Sequence, residues 1–337
     1  MSRAILRVIH AGPLVSIQDG GRFGHMRFGV SASGPMDRSG FAVANTALGQ
    51  RAGATGIEVS LGGLVLECRH GAVSIAVAGG GFAVDFAGTK SGSWTVQTLH
   101  QGERLSIRGG AWGSWAYLAF AGDLKSQNWL GHSATHSMSG FGGGALKAGQ
   151  DLEIEDAETR DDRSGDIPCP AFAKPDGTAR VVIGPQDQHF SPVSVETFLS
   201  TPYKLTDAFD RMGVRLSGPV LELSEALSIP SEPILRGSVQ VSGDGVPTVL
   251  LADHQTTGGY PKIATVISAD LDRLSQMRAQ GTIRFAAITP EEAIAATRAE
   301  AQAKRDYLAE LAKPRPSLSE RLLRENLIGG VTTGGED

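Results

Sequence analysis

The chain has 337 residues, 41% of them hydrophobic, which suits two domains of ordinary size and excludes a largely disordered protein. Its formal net charge is -5 with no basic block, which argues against a nucleic-acid partner, and no run approaches the roughly 18 apolar residues that a membrane span needs. Cys68 and Cys169 have neither metal spacing nor a disulfide framework, so both are expected to be buried or inert thiols in a reducing cytoplasm.

The N-terminal "MSRAILRVIHAGPLVSIQDGG" lacks the continuous apolar core of a signal peptide and reads as a first strand. Short apolar runs then recur between Gly and Pro: "AVSIAVAG", "WAYLAFAG", "DLEIED", "ARVVIG", "TVLLAD", "ATVISAD" and "TIRFAAI". Each has strand length and many β-branched residues. The 44 glycines, about twice the usual usage of roughly 7%, fit tight turns between such strands. Two short helices are expected, one over "MDRSGFAVANTALG" with Phe41, Ala44 and Leu48 on one face, the other over "SPVSVETFLST" with Pro192 just inside a Ser191 cap. A longer helix starts at "TPEEAIAATRAEAQAKRDYLAELAK", where Thr289 and Glu292 form a capping box. Its apolar stripe (Ile294, Leu308, Leu311) is thin, so it belongs on the surface or against a partner. Beyond Pro314 the charged tail reads as loose.

These elements give a mainly β fold of two related β-barrel-like units with a few short helices and a C-terminal surface helix. The expected boundaries are 1–155 for the first β-rich unit, 156–178 for a charged, Pro-bearing linker, 179–290 for the second unit, and 291–337 for helix and tail. An internal repeat supports the pairing. "RFGVSASGP" (Arg27 to Pro35) aligns with "RMGVRLSGP" (Arg211 to Pro219), and upstream "RVIHAGP" from Arg7 resembles "RVVIGP" from Arg180.

The densest polar chemistry lies in "LLADHQTTGGYPKIATVISAD", between two apolar runs. A strand that ends in polar residues is a common way to present a site on a rigid base. Asp253 can accept a substrate N–H or a proton. Gln255 suits an amide or urea-like group, being both donor and acceptor. Thr256 and Thr257 offer hydroxyls, Tyr260 a phenol, and Gly258 and Gly259 let backbone N–H groups approach a ligand. Lys262 can hold a carboxylate or phosphate. The competing reading is a turn with internal hydrogen bonds. "SIQDGGRFGHMRFGVSASGPMD" is the second candidate, with Gln18 and Arg22 able to bind an amide or anion, or with Asp19 and Arg22 simply pairing. In "FDRMGVRLSGP", Arg211 is either an anion anchor or part of a structural pair with Asp210.

The glycine clusters at Gly79–Gly81 and Gly140–Gly149 lack the Lys-Ser/Thr of a phosphate-cradling loop and read as hairpin turns. His132 and His136 in "GHSATHS" have no HExxH glutamate, which favours a loop with solvated histidines over a metal site. Ser133 and Ser137 show no nucleophile-elbow pattern.

Four of these stretches together resemble the biotin-dependent carboxyltransferase family, also called allophanate hydrolase subunit 2: "SIQDGGRFGHMRFGVSASGPMD", "GFGGGALKAGQ", "DRMGVRLSGP" and, most specifically, "ADHQTTGGYPKIATVISADLDRL". The family includes the carboxyltransferase portion of urea carboxylase and the C component of bacterial 5-oxoprolinase. Ile17, Gly21 and the looser "GHSATHS" depart from its usual pattern.

The resemblance implies cyclophilin-like barrel units and a smaller partner, the B component, of allophanate hydrolase subunit 1 type. A further A component joins them in the ATP-dependent enzyme that opens 5-oxoproline to glutamate. The resemblance also implies the alternative, a carboxyltransferase that moves carboxyl from biotin on a partner to a urea- or amide-type nitrogen. A third reading is a non-catalytic protein that regulates the B component. ATP in the complex, bound by this chain or a partner, is the expected cofactor in the first reading. In the first two, Asp253, Gln255, Thr257 and Lys262 are expected to serve catalysis. Thr256, Gly258, Gly259, Tyr260, Arg211, Gln18 and Arg22 are expected to bind a small amide substrate.

Overall fold

The computed structural model describes residues 2–224 and 229–314, so the expected loose tail beyond Pro314 lies outside the described residues. The first unit is two stacked antiparallel sheets. One runs Asp123–Leu124, Asp151–Glu155, Arg3–Ala11, Leu64–His70, Arg104–Trp112, Gly81–Phe86, Thr89–Gly92. The other runs Gly165–Asp166, Thr95–His100, Ala72–Ala78, Trp115–Phe120, Gly56–Ser60, Ser16–Gln18. Arg3–Ala11 shows the logic of a half-buried strand: Ala4, Leu6 and Val8 face the interior, while Arg3 and Arg7 point out and pair with Glu153 and Asp151. Trp115–Phe120 is buried at every position because both its faces are covered. Ala116, Leu118 and Phe120 join the sandwich core, and Trp115, Tyr117 and Ala119 pack under helix α1 (Arg38–Ala47). The α1 stripe of Phe41, Ala44 and Leu48 is buried, as its spacing predicts.

The second unit is a closed seven-stranded barrel in the order Thr178–Ile183, Lys262–Val266, Ser238–Val241, Pro247–Leu250, Gly213–Ser217, Tyr203–Phe209, Thr282–Ala287, and it closes through the parallel pair of the first and last of these. Helix α2 (Pro192–Ser200) begins at the Ser191 cap and stacks Phe198 on Phe285 with ring centroids 4.5 Å apart. Helix α3 (Ser268–Ser275) had no sequence signal beyond its strand-like approach; Asp270 fixes it by accepting from Arg180 Nη2 and Arg273 Nη2, each at 2.6 Å.

Helix α4 (Pro290–Ala312) carries the capping box seen in the sequence. It does not stand clear of the body: it contacts α1, α3 and the strand Thr178–Ile183, with Tyr307, Leu308 and Leu311 packed on the core. One hydrophobic cluster therefore runs from α1 through the connector residues Ile167 and Ala173 into the barrel. Residues 156–178 hold little regular structure, and Gly165–Asp166 pairs with Thr95 and Val96, so this stretch is laid along the first unit.

The upstream repeat pair, around Arg7 and Arg180, is strand in both copies. The downstream pair differs: Arg211–Pro219 contributes the strand Gly213–Ser217, whereas Arg27–Pro35 is a turn in which Gly29, Ser33 and Gly34 have φ of 78°, 51° and 80°. Gly79–Gly81 is no hairpin, since it carries the chain from one sheet of the sandwich to the other. Gly140–Gly149 is likewise irregular chain leading to the strand Asp151–Glu155. Cys68 is buried as expected, but Cys169 is exposed on the connector; both are free thiols. Among the described residues no helix is long and apolar enough to cross a membrane.

Candidate functional site

The strand Pro247–Leu250 delivers the polar loop to the junction of the two units. Leu251 N–H donates to the Met212 carbonyl and Asp253 N–H to the Arg211 carbonyl, which sets Asp253 beside Arg211. The Arg211 guanidinium then grips Asp253 with two bonds, Nε to Oδ2 at 2.9 Å and Nη2 to Oδ1 at 3.0 Å. Its Nη1 donates to Glu58 and its Nη2 also donates to the Gly34 carbonyl at 2.7 Å. Glu58 Oε2 in turn accepts from Met36 N–H at 2.7 Å and from the Tyr117 hydroxyl at 3.1 Å. All three charged groups are at most 1% exposed. Burial disfavours charge here: the two acidic neighbours keep Arg211 protonated and Arg211 holds Asp253 below the usual carboxylate range, whereas burial outweighs Arg211 at Glu58 and pushes its pKa up.

Arg211 is thus committed to the protein itself and links the two copies of the sequence repeat through Gly34. Asp253 Oδ2 also accepts from Ser137 N–H at 2.9 Å. Gln18 and Arg22 serve the same neighbouring segment: Gln18 Nε2 donates to the Thr135 carbonyl at 3.2 Å, and Arg22 Nη2 to the Ala134 carbonyl at 2.6 Å. Arg22 also stacks over Trp129, 4.5 Å from the ring centroid. Asp19 does not hydrogen-bond to Arg22; it accepts from Gly21 and Ser133 N–H groups at 2.9 and 2.7 Å. The structure therefore does bring the arginine-bearing turn and the polar loop together, with Gln18, Arg22, Arg211 and Asp253 as framework. His132 and His136 lie in that loop segment, both half-buried, with His136 Nδ1 2.9 Å from the Ser139 hydroxyl.

The rest of the loop spreads over two faces. On the barrel side, Gln255 and Tyr260 line a pocket of about 320 Å³ with Gln240, Arg215, Thr248 and Leu250. Gly258 is closely approached here: a Cβ would meet Gln240 Nε2 at 2.9 Å and Ile234 Cδ1 at 3.0 Å, both the ends of side chains that can shift. Thr257–Gly258 pairs with Glu232–Pro233, and the carbonyls of Thr256 and Gly259 accept from Ile234 and Ile229. Lys262 sits beneath this hairpin, 2% exposed, and its Nζ has no hydrogen-bond partner among the described residues. Burial pushes its pKa down, against the pull of Glu232.

The other face is one that sequence reasoning missed. His254 lines a cleft of about 520 Å³ between the Phe23–Ala32 turn, α1, the barrel and α4. Its Nδ1 lies 2.6 Å from the Gln255 carbonyl, which can only accept, so Nδ1 carries the proton and Nε2 keeps its lone pair. Burial pushes the imidazole pKa down and nearby Arg236 adds to this. Arg38 stacks 5.2 Å from the Phe23 centroid, and burial together with Arg236 lowers its pKa to about 10. Arg236 donates to the Pro35 and Met36 carbonyls, while its Nε is buried without a partner among the described residues. His254 and Arg38 flank residues already singled out by sequence; Arg236 carried no signal of any kind.

Comparison with known proteins places residues 28–287 in a match to the carboxyltransferase domain, subdomain A and B. The chain is 32% identical to the C component of 5-oxoprolinase from Escherichia coli (strain K12) over 302 residues, covering 87% of this chain and 94% of that protein. It is 34% identical to the Haemophilus influenzae 5-oxoprolinase C component over 281 residues, covering 82% and 89%. Among solved structures it is similar to the Kluyveromyces lactis urea carboxylase, with a TM-score of 0.79, 25% identity and coverage of 91% of this chain. The chain spans 29% of that longer protein.

Proposed function

The chain belongs to the carboxyltransferase domain family, subdomains A and B, and on that premise we propose that it is the C component of a 5-oxoprolinase. It works in the cytoplasm with the A and B components to open 5-oxoproline to glutamate, driven by ATP. The observation that carries this reading is the match to two bacterial C components over nearly their whole length. The site supports it chemically. A lactam is a poor electrophile, so its opening needs groups that read the amide and polarise its carbonyl. Gln240, Gln255 and Tyr260 offer such groups in the barrel pocket, with Thr256, Thr257 and Gly259 on the adjoining hairpin and Lys262 beneath it as an amine whose burial favours release of its proton. Asp253 and Arg211 fix the root of the loop.

ATP does not fit this pocket. The arginine that lines it, Arg215, is already paired with Asp244, and a triphosphate calls for several free donors or cations. We therefore assign nucleotide binding to a partner. The structural similarity to urea carboxylase favours a second reading, carboxyl transfer from biotin on a partner to an amide nitrogen.

Co-expression with the A and B components tests the assignment. ATP-dependent glutamate release from 5-oxoproline is expected, with at least a tenfold fall in turnover for Gln255→Ala and Thr257→Ala. Absence of release, together with ATP-dependent carboxylation in an arm containing urea, bicarbonate and a biotin carrier, would replace the first reading with the second. Full turnover in both variants would remove the loop from the site and favour a regulatory role.

A further inference from the structure

We propose that the cleft at the junction of the two units is a binding site for a small monoanionic carboxylate that also carries an N–H group, held by Arg38 and Arg236 and read by His254 Nε2. The argument starts from charge. Three cations line the cleft, Arg38, Arg236 and Lys304, against two carboxylates, Asp272 and Glu300. Lys304 is committed to both carboxylates, 3.1 Å from Asp272 and 2.6 Å from Glu300. Asp272 is further occupied by the first turn of α1, accepting from Arg38 N–H at 3.1 Å and Ser39 N–H at 3.2 Å. One positive charge is left over, borne by the Arg38 and Arg236 guanidiniums. Burial lowers the pKa of both, and Arg236 lowers that of Arg38 further, against the pull of Asp272 on each. Like charges kept together in a desolvated cleft define where an anion is stabilised, and a guanidinium matches a carboxylate in shape.

The remaining features narrow the ligand. A single surplus charge suits a monoanion and disfavours a polyphosphate. The volume, about 520 Å³, is that of a small-molecule site. The Phe23 and Leu235 side chains on its rim are 57% and 62% exposed, so an apolar ring or chain would cover them. His254, with its proton fixed on Nδ1 by the Gln255 carbonyl, offers Nε2 as an acceptor for a ligand N–H. 5-Oxoproline, with one carboxylate, a lactam N–H and a ring, meets this description, and glutamate, a dicarboxylate with an ammonium, shares its net charge of minus one; the choice of these probes rests on the 5-oxoprolinase reading, while the site itself does not.

Calorimetric titration of the full chain alone tests the proposal, with L-5-oxoproline, L-glutamate, the neutral carboxamide of 5-oxoproline and inorganic phosphate as separate ligands. Binding of one of the two carboxylates is expected, weakened about tenfold or more in Arg38→Gln and largely restored in Arg38→Lys. Preference for 5-oxoproline makes the cleft a second substrate-holding site besides the barrel pocket, and preference for glutamate makes it a product site. Arg38→Gln is a mild change, since the side chain rests on Phe23 and its helix cap uses the backbone. The proposal is overturned if neither carboxylate binds, if Arg38→Gln leaves affinity unchanged, or if the carboxamide or phosphate binds as tightly. Because the measurement needs neither ATP nor the other components, the cleft can fail while the complex still turns over 5-oxoproline, and the reverse.

Discussion

Arg211 serves two buried carboxylates from opposite units with one guanidinium, so its loss would strand both. Removing one partner of a buried ion pair typically costs about 3–5 kcal/mol. Arg211→Met should lower unfolding stability by that order in a urea titration, and Arg211→Lys should recover little, since an ammonium cannot make the paired bonds to Asp253. Wild-type stability in Arg211→Met would show the network to be dispensable. Lys262 presents the opposite case. Its lowered folded-state pKa means that folding is penalised while the unfolded chain holds the proton, so its contribution improves as pH rises toward its ordinary value near 10.4. Lys262→Met should be at least as stable as wild type at pH 7 and lack that alkaline gain; a large loss of stability would mean that the amine is not an orphan. Sequence marked Arg211, Asp253 and Lys262 as chemically rich, yet residue type alone could not tell a framework group from a ligand group. Arg211 and Asp253 are 42 positions apart, and only the barrel register makes them neighbours.

Element boundaries were most legible where local chemistry sets them. The Thr289 and Glu292 side chains cap α4 reciprocally, and an N-cap of this kind is worth about 1 kcal/mol. Because α4 supplies Lys304 and Leu308 to the junction cleft, Thr289→Ala should both lower the melting temperature and raise amide exchange along α4; unchanged exchange would mean that the helix is held by its tertiary contacts alone. Helix α3 was hidden because its two turns follow a strand-like approach and depend on Asp270 pairing with an arginine 90 residues away. The turn at Arg27–Pro35 defied its strand-forming repeat partner because positive φ at Ser33 and Gly34 brings Gly34 against Gly21, where a Cβ would meet backbone at 2.9 Å.

At the scale of the whole molecule, the mainly β class followed from short apolar runs, but the wrapping of one sheet by α1 and the docking of α4 required distant contacts that no local pattern encodes. The same docking creates a pH dependence. Burial and the neighbouring Asp272 push Asp37 up to about 7, while Lys304 and Arg236 overcome burial to hold Asp272 at about 2. The Asp37 contribution is fully present below pH 4 and is lost as pH rises to 7; that of Asp272 is present above pH 4 and fades as pH falls toward 2. Between pH 4 and 7 this pair should therefore cost stability at up to about 1.4 kcal/mol per pH unit, a slope that Asp37→Asn should flatten in melting curves whatever its absolute stability. An equal slope in both proteins would exonerate Asp37. The continuous cluster joining α1 to the barrel interior has a consequence for genetics as well. A gene severed inside the stretch encoding residues 156–178 should yield two insoluble fragments when each is made separately, and a soluble, reassembled pair when both are made in one cell.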